Sequence, residues 1–108
     1  MADLDPAAVV QALQGDPKLR VFTGGGRIVT IPARQSRRRL LLDVIVQAFE
    51  PGVRYPERQI SQFLGALHPD FAALRRHLVD EDFLSRSGGE YWRSGGSAPP
   101  PAPAGPAG

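Results

Sequence analysis

Few side chains in this sequence can do chemistry near neutral pH, and their spacing narrows what that chemistry is. The two histidines, His68 and His77, stand nine residues apart, with Pro69 and Asp70 directly after the first. Two metal ligands on one helix need a spacing of three or four, so the pair does not read as a metal site. There is no cysteine, which excludes thiolate ligands and disulfides. No nucleophile pairs recognisably with either histidine. No enzymatic activity and no cofactor are expected. The run "GGGR" would cradle a phosphate only between a strand and a helix, with a Lys or a further Gly at fixed spacing. Here strand formers flank it on both sides, so it reads as the turn of a hairpin.

What remains is arginine, which makes up 12 of the 13 basic residues. Its planar fork suits bidentate contacts with phosphate or carboxylate. Three arginines, Arg37, Arg38 and Arg39, open the segment "SRRRLLLDVIVQAFEPG". Cations there oppose the helix macrodipole at about a few tenths of a kcal/mol each, which points either to a partner anion or to a solvated charged turn, since exposed charge costs little. A second group sits in "DFAALRRHLVDEDFLSRSGGEYWR". If its helix enters a major groove, Ala72, Ala73, Arg76 and His77 lie off its apolar face. Arg76 has the geometry to read guanine. Arg86 and Arg93, on the hairpin that follows, are candidate phosphate contacts, as are Arg37, Arg38 and Arg39. Against this, Asp80, Glu81 and Asp82 close the same helix and would repel phosphate.

The elements that must position these residues carry clear punctuation. "DPAAVVQALQG" has Asp5 to cap, Pro6 at the first helical position and Gly15 at the end. Val9, Val10 and Leu13 form its apolar face, which offers a homodimer interface. "KLRVFTGGGRIVTIP" reads as a hairpin, with Val21 and Phe22 on one strand and Ile28, Val29 and Ile31 on the other. The helix after it has Ser36 as N-cap and Leu40, Leu41, Val44, Ile45, Ala48 and Phe49 as its stripe; Pro51 and Gly52 stop it. "VRY" forms a short strand, with Tyr55 in a structural role. "PERQISQFLGALH" turns Ile60, Phe63, Leu64 and Leu67 inward. Asp70 caps the next helix, whose inward face is Phe71, Leu74 and Leu78, with Val79 at its margin. Arg75 is expected to pair with Glu57 on the preceding helix, and Trp92 to plug the core beneath the last helix.

Charge is unevenly spread. Residues 18–93 hold all 13 basic residues against 8 of the 11 acidic ones, a net of +5, whereas 1–17 carry −3. From Ser94, "SGGSAPPPAPAGPAG" has no charge and no large apolar residue, and reads as a disordered tail. The acidic start has no secretory pattern, and no apolar run is long enough for a membrane span. A cytoplasmic location is expected. The division is an N-terminal helix in 1–17, a domain in 18–93 and a tail in 94–108.

The blocks "GRIVTIPA", "AFEPGVRYPERQISQFL", "HPDFAALRRHLVDEDFLSR" and "EYWRSGG" resemble the bacterial domain family DUF2087 in order and spacing. The sequence departs from that pattern at Gln59, where glutamate is usual, and at Ser61, where asparagine is usual. The resemblance implies a transcriptional regulator or a regulator-associated domain. It brings no established biochemical activity.

The order helix, strand, helix, turn, helix, hairpin predicts an α+β, winged-helix-like domain preceded by an N-terminal helix and hairpin. A general α+β domain with the same elements packed differently is the alternative. The expected partner is double-stranded DNA, bound in transcriptional control. The competing expectation is a protein-binding adaptor of the same fold, with a protein partner in transcription.

Overall fold

The computed structural model describes residues 4–97. They form four helices and two small antiparallel sheets around one core, an α+β arrangement. Helix α1 (Pro6–Gln14) starts as its punctuation requires. The Asp5 carboxylate accepts from the backbone N–H of Ala7 (3.0 Å) and Ala8 (3.3 Å), two donors that a helix start otherwise leaves unpaired. Val9, Val10 and Leu13 are buried in the common core, where α1 packs on the two helices described next. The apolar face expected to join two copies is therefore spent within one chain. Exposing these three residues for a partner would forgo roughly 1.5–3 kcal/mol each.

A 3₁₀ turn (Arg20–Phe22) leads into β1 (Thr23–Gly24), which pairs with β2 (Arg27–Ile28). Val21 and Phe22 were expected on a strand. They lie in the 3₁₀ turn, which the Thr23 hydroxyl closes by donating to the Arg20 carbonyl at 2.8 Å. Gly25 and Gly26 form the hairpin tip with φ of 59° and 77°, values that side-chain-bearing residues seldom adopt.

Helix α2 (Gln35–Val46) begins one residue before Ser36. Arg34 occupies the cap position and no side chain caps the helix. Its buried stripe is Leu41, Leu42, Ile45 and Val46, continuing to Phe49, while Leu40 stays 43% exposed. This differs from the expected stripe by a rotation of one residue. With three consecutive leucines, 40/41/44/45/48 and 41/42/45/46/49 fit the helical period equally well, and tertiary packing chooses between them.

Strand β3 (Arg54–Pro56) is followed directly by α3 (Glu57–Leu67) and, after a tight turn, by α4 (Phe71–Asp80). His68 builds that turn: its Nδ1 accepts from the Asp70 N–H at 2.9 Å, and Asp70 in turn caps α4 through the Ala73 N–H at 3.1 Å. Leu74 and Leu78 face inward as expected. Phe71 does not; it is 37% exposed, beside Gly65. Ala73 takes a buried position instead.

The chain then enters β4 (Leu84–Ser87) and β5 (Glu90–Arg93), turning at Gly88 and Gly89. Strand β5 lies between β3 and β4. Tyr55 pairs with Tyr91 across β3 and β5, both almost fully buried. Phe49 packs edge-on against Tyr55 (5.2 Å) and Phe63 (5.6 Å). Neighbouring strand residues face opposite sides, so burying Tyr91 sends Trp92 to the other face. Trp92 is half-buried there, with the Arg54 guanidinium 4.1 Å from its ring. Tyr91, not Trp92, is the core plug.

The start of α2 meets the end of α4. Arg38 Nε lies 2.6 Å from Glu81 Oε2, and its Nη1 donates to the Ala33 carbonyl at 2.9 Å. Arg39 Nη1 donates to the Glu81 carbonyl at 3.1 Å and approaches Oε1 at 3.6 Å. Its guanidinium sits 4.7 Å from the Phe83 ring centroid. His77 Nδ1 stands 3.5 Å from Glu81 Oε2. The Glu81 side chain is only 8% exposed. The anion implied by the arginine run thus lies within the chain.

Residues 94–97, expected to open a disordered tail, are docked; 98–108 lie outside the described residues. Ser94 and Gly95 donate to the Phe83 carbonyl at 3.0 and 3.1 Å. The Ser97 N–H and hydroxyl both bond Asp43, each at 2.6 Å. A side chain at Gly95 would place its Cβ 2.2 Å from the Asp82 carbonyl oxygen, so the backbone comes this close only with glycine.

Arg38→Met should cost up to about 3 kcal/mol, because the buried Glu81 carboxylate loses its 2.6 Å partner and keeps only the longer contacts of Arg39 and His77. The double change Arg38→Met with Glu81→Leu should recover most of that. Urea midpoints test this, and an Arg38→Met chain as stable as the parent would contradict it.

Asp43 titrates below its ordinary 3.8. Burial pushes its carboxyl upward, but the hydrogen bonds from Ser97 and Gln47 and the Arg93 charge outweigh that. A depressed folded value means that the contribution to stability is full above pH about 4 and is lost as pH falls through the folded value. The melting temperature of Asp43→Asn should therefore fall less steeply than the parent's below pH 4. Parallel curves would show that the Ser97 latch carries no proton linkage.

Candidate nucleic-acid interface

Of the arginines expected to meet DNA, those at the start of α2 divide sharply. Arg38 and Arg39 are committed to Glu81, as is His77 on α4. Arg37 stays exposed, with one long contact (3.3 Å) from its Nη1 to the Lys18 carbonyl. Arg93 is turned to the chain after it, donating to the Gly95 carbonyl at 3.1 Å and to the Ser97 carbonyl. Ala73 is buried and has no surface for a base edge. Arg38, Arg39, His77, Arg93 and Ala73 are thereby corrected from candidate contacts to parts of the fold.

Arg37 is left as an exposed candidate at the start of α2, and with it the pair Arg76 and Arg86. Both members of the pair are exposed, and neither has a carboxylate partner within ion-pair distance among the described residues. They come together at a cleft of ≈ 270 Å³ between α4 and the β4–β5 hairpin. Arg75, Val79, Asp80 and Tyr91 complete its walls, with Ala72 at its edge. Three guanidiniums against one carboxylate make the cleft cationic.

Hydrogen bonds fix the cleft from behind. Arg75 was expected to pair with Glu57. Its Nη1 instead donates to the Ser61 hydroxyl on α3 at 2.8 Å. Glu57 Oε1 accepts from the Tyr91 hydroxyl at 3.1 Å. Burial raises the Tyr91 hydroxyl above its ordinary 10.0, and the Glu57 hydrogen bond adds to this against the charges of Arg75 and Arg86. Tyr91 is therefore a neutral donor at physiological pH. Its ring also lies 5.7 Å from the Arg86 guanidinium.

Ser61, Tyr91 and Glu81 hold the site together, and sequence reasoning gave none of them that role. For Glu81 a signal existed. Cations at one helix start and an acid at another helix end are each unfavourable alone, and each is the other's remedy. For Ser61 and Tyr91 the local sequence offers no comparable mark.

We found no significant match among curated proteins or among solved structures. A family model does match, over residues 27–93, from β2 to the last residue of β5. That span contains the cleft, the Glu81 cluster and more than half of the 108 residues, and by it the chain belongs to the family described as "Uncharacterized protein conserved in bacteria (DUF2087)".

Proposed function

We propose that this protein is a DNA-binding module of winged-helix type, acting in transcriptional control. The observation that carries the reading is the pair Arg76 and Arg86. They stand exposed and without carboxylate partners on the two elements, α4 and the hairpin, that such a fold presents to a duplex. The order α2, β3, α3, α4, β4, β5, with β5 between its two partner strands, supports it. A tight turn joins α3 to α4, and a hairpin follows, as helix-turn-helix proteins with a wing require. The acidic end of α4 weighs less against DNA than its sequence suggests, because Arg38 and Arg39 neutralise Glu81.

A second reading is a protein-binding adaptor of the same fold. It is favoured by the Arg54–Trp92 stack on the sheet face opposite Tyr91, since aromatic residues and arginine are enriched at protein interfaces.

Fluorescence anisotropy with labelled duplexes of unrelated sequence, at two salt concentrations, separates the two. Binding at low salt that weakens with a log–log slope of about 0.9 per phosphate contact is the expected result. Arg86→Glu should abolish it without changing the melting temperature. A chain that ignores every duplex at about tens of micromolar and low salt, where nonspecific affinity should be visible, would leave the adaptor reading.

A further inference from the structure

Helix α4 carries four polar side chains: Arg75, Arg76, His77 and Asp80. A helix that reads base edges needs free donors and acceptors, above all forked arginine, asparagine or glutamine, near its N-terminal half. Here Arg75 is tied to Ser61 and His77 faces Glu81. Asp80 stands in the last turn, on the cleft wall. The first turn offers only Phe71 and Ala72 to solvent. These can touch a thymine methyl but form no hydrogen bond. Arg76 is the one arginine on α4 without a hydrogen-bond partner among the described residues, and it shares its cleft with Arg86 from the facing hairpin.

We infer that Arg76 and Arg86 close on one phosphate group across this cleft, so that α4 reads the backbone and the protein binds duplexes of any sequence nearly alike. This rests on the DNA reading above and departs from the guanine contact that the sequence assigns to Arg76. Three observations carry it. The cleft brings Arg76 from α4 and Arg86 from the facing hairpin onto one opening. Its three guanidiniums and one carboxylate leave a net positive charge, complementary to a phosphodiester. Its walls are fixed by Arg75–Ser61 and Tyr91–Glu57, so the two arginines come from elements already held at a set separation. Forked guanidinium is the side chain best matched to phosphate oxygens.

The same chemistry also describes free phosphate, and the experiment has an arm for each source. Salt-dependent anisotropy would be measured for the full chain, Arg76→Ala and Arg86→Ala on several duplexes. Inorganic phosphate would be titrated separately into the full chain, followed by NMR shifts of the Arg76 and Arg86 side-chain N–H groups. The expected result is a log–log salt slope lower by at most about 0.9 in either variant and by no more than that in the double variant Arg76→Ala with Arg86→Ala, with the ratio of affinities between duplexes unchanged; a double variant lower by about 1.8 would put the two arginines on separate phosphates and overturn the shared site. Both side chains are exposed, so both variants should fold. A loss of about 5- to 150-fold in discrimination in Arg76→Ala would make Arg76 a base reader; the inference would then fall while the DNA reading stood. If no duplex binds but phosphate shifts both side chains, the oxyanion site stands and the DNA reading falls. If neither binds, both fall.

Discussion

The position of α4 depends on the carboxylate of Glu81. Helix α4 ends there, against its own C-terminal dipole, and α2 begins with three arginines against its N-terminal dipole. Each helix end is unfavourable by itself. Docked together, with Arg38 2.6 Å from Glu81 and Arg39 on its carbonyl oxygen, they cancel. An ion pair this buried is weak evidence for net stability, because desolvation offsets much of the attraction. Its sharper effect is on geometry. A planar guanidinium bound to a buried carboxylate and to the Ala33 carbonyl tolerates little rotation of one helix against the other. That restraint acts with the packing of α4 on α3 and the Arg75–Ser61 hydrogen bond to set the angle at which α4 presents Arg76.

The elements were legible where punctuation is chemical. Asp5 and Asp70 cap their helices through hydrogen bonds that their positions in the sequence anticipate. The Gly88 and Gly89 tip and the apolar period of α3 were equally plain. Choices between equivalent local solutions were not legible. Leu40, Leu41 and Leu42 satisfy either of two stripes, and packing with α1 and α4 decides. Tyr91 and Trp92 are both large and adjacent, and only the register with β3 says which one is buried. "SGGS" has the composition of a linker, yet Gly95 permits the close approach at Asp82 that docks it. Composition counts what a segment lacks and misses what a bare backbone can reach.

The candidate site was legible in residue type and only partly in residue identity. A run of arginine announces that an anion is needed; it does not say whether that anion belongs to a partner or to the chain. Arg38 and Arg39 found Glu81, Arg93 found backbone carbonyls, and Arg75 found Ser61. Each is within reach of a fixed acceptor once the fold is formed, and satisfying a buried or half-buried guanidinium internally avoids a desolvated, unpaired charge. Arg76 and Arg86 differ because the only carboxylate lining their cleft, Asp80, makes no ion pair with either. What distinguishes them is therefore a property of the assembled surface.

That surface has a consequence for how binding energy is used. Arg76 and Arg86 sit on elements braced by hydrogen bonds that do not involve the cleft's own opening: Tyr91 to Glu57 and Arg75 to Ser61. The backbone under each arginine is set by these bonds, so the anion binding proposed for this cleft would freeze two side chains and no loop. Ser61 supplies the acceptor in this brace: its hydroxyl takes the Arg75 hydrogen bond at 2.8 Å, which turns that guanidinium toward α3 and leaves Arg76 and Arg86 as the cleft's unpaired cations.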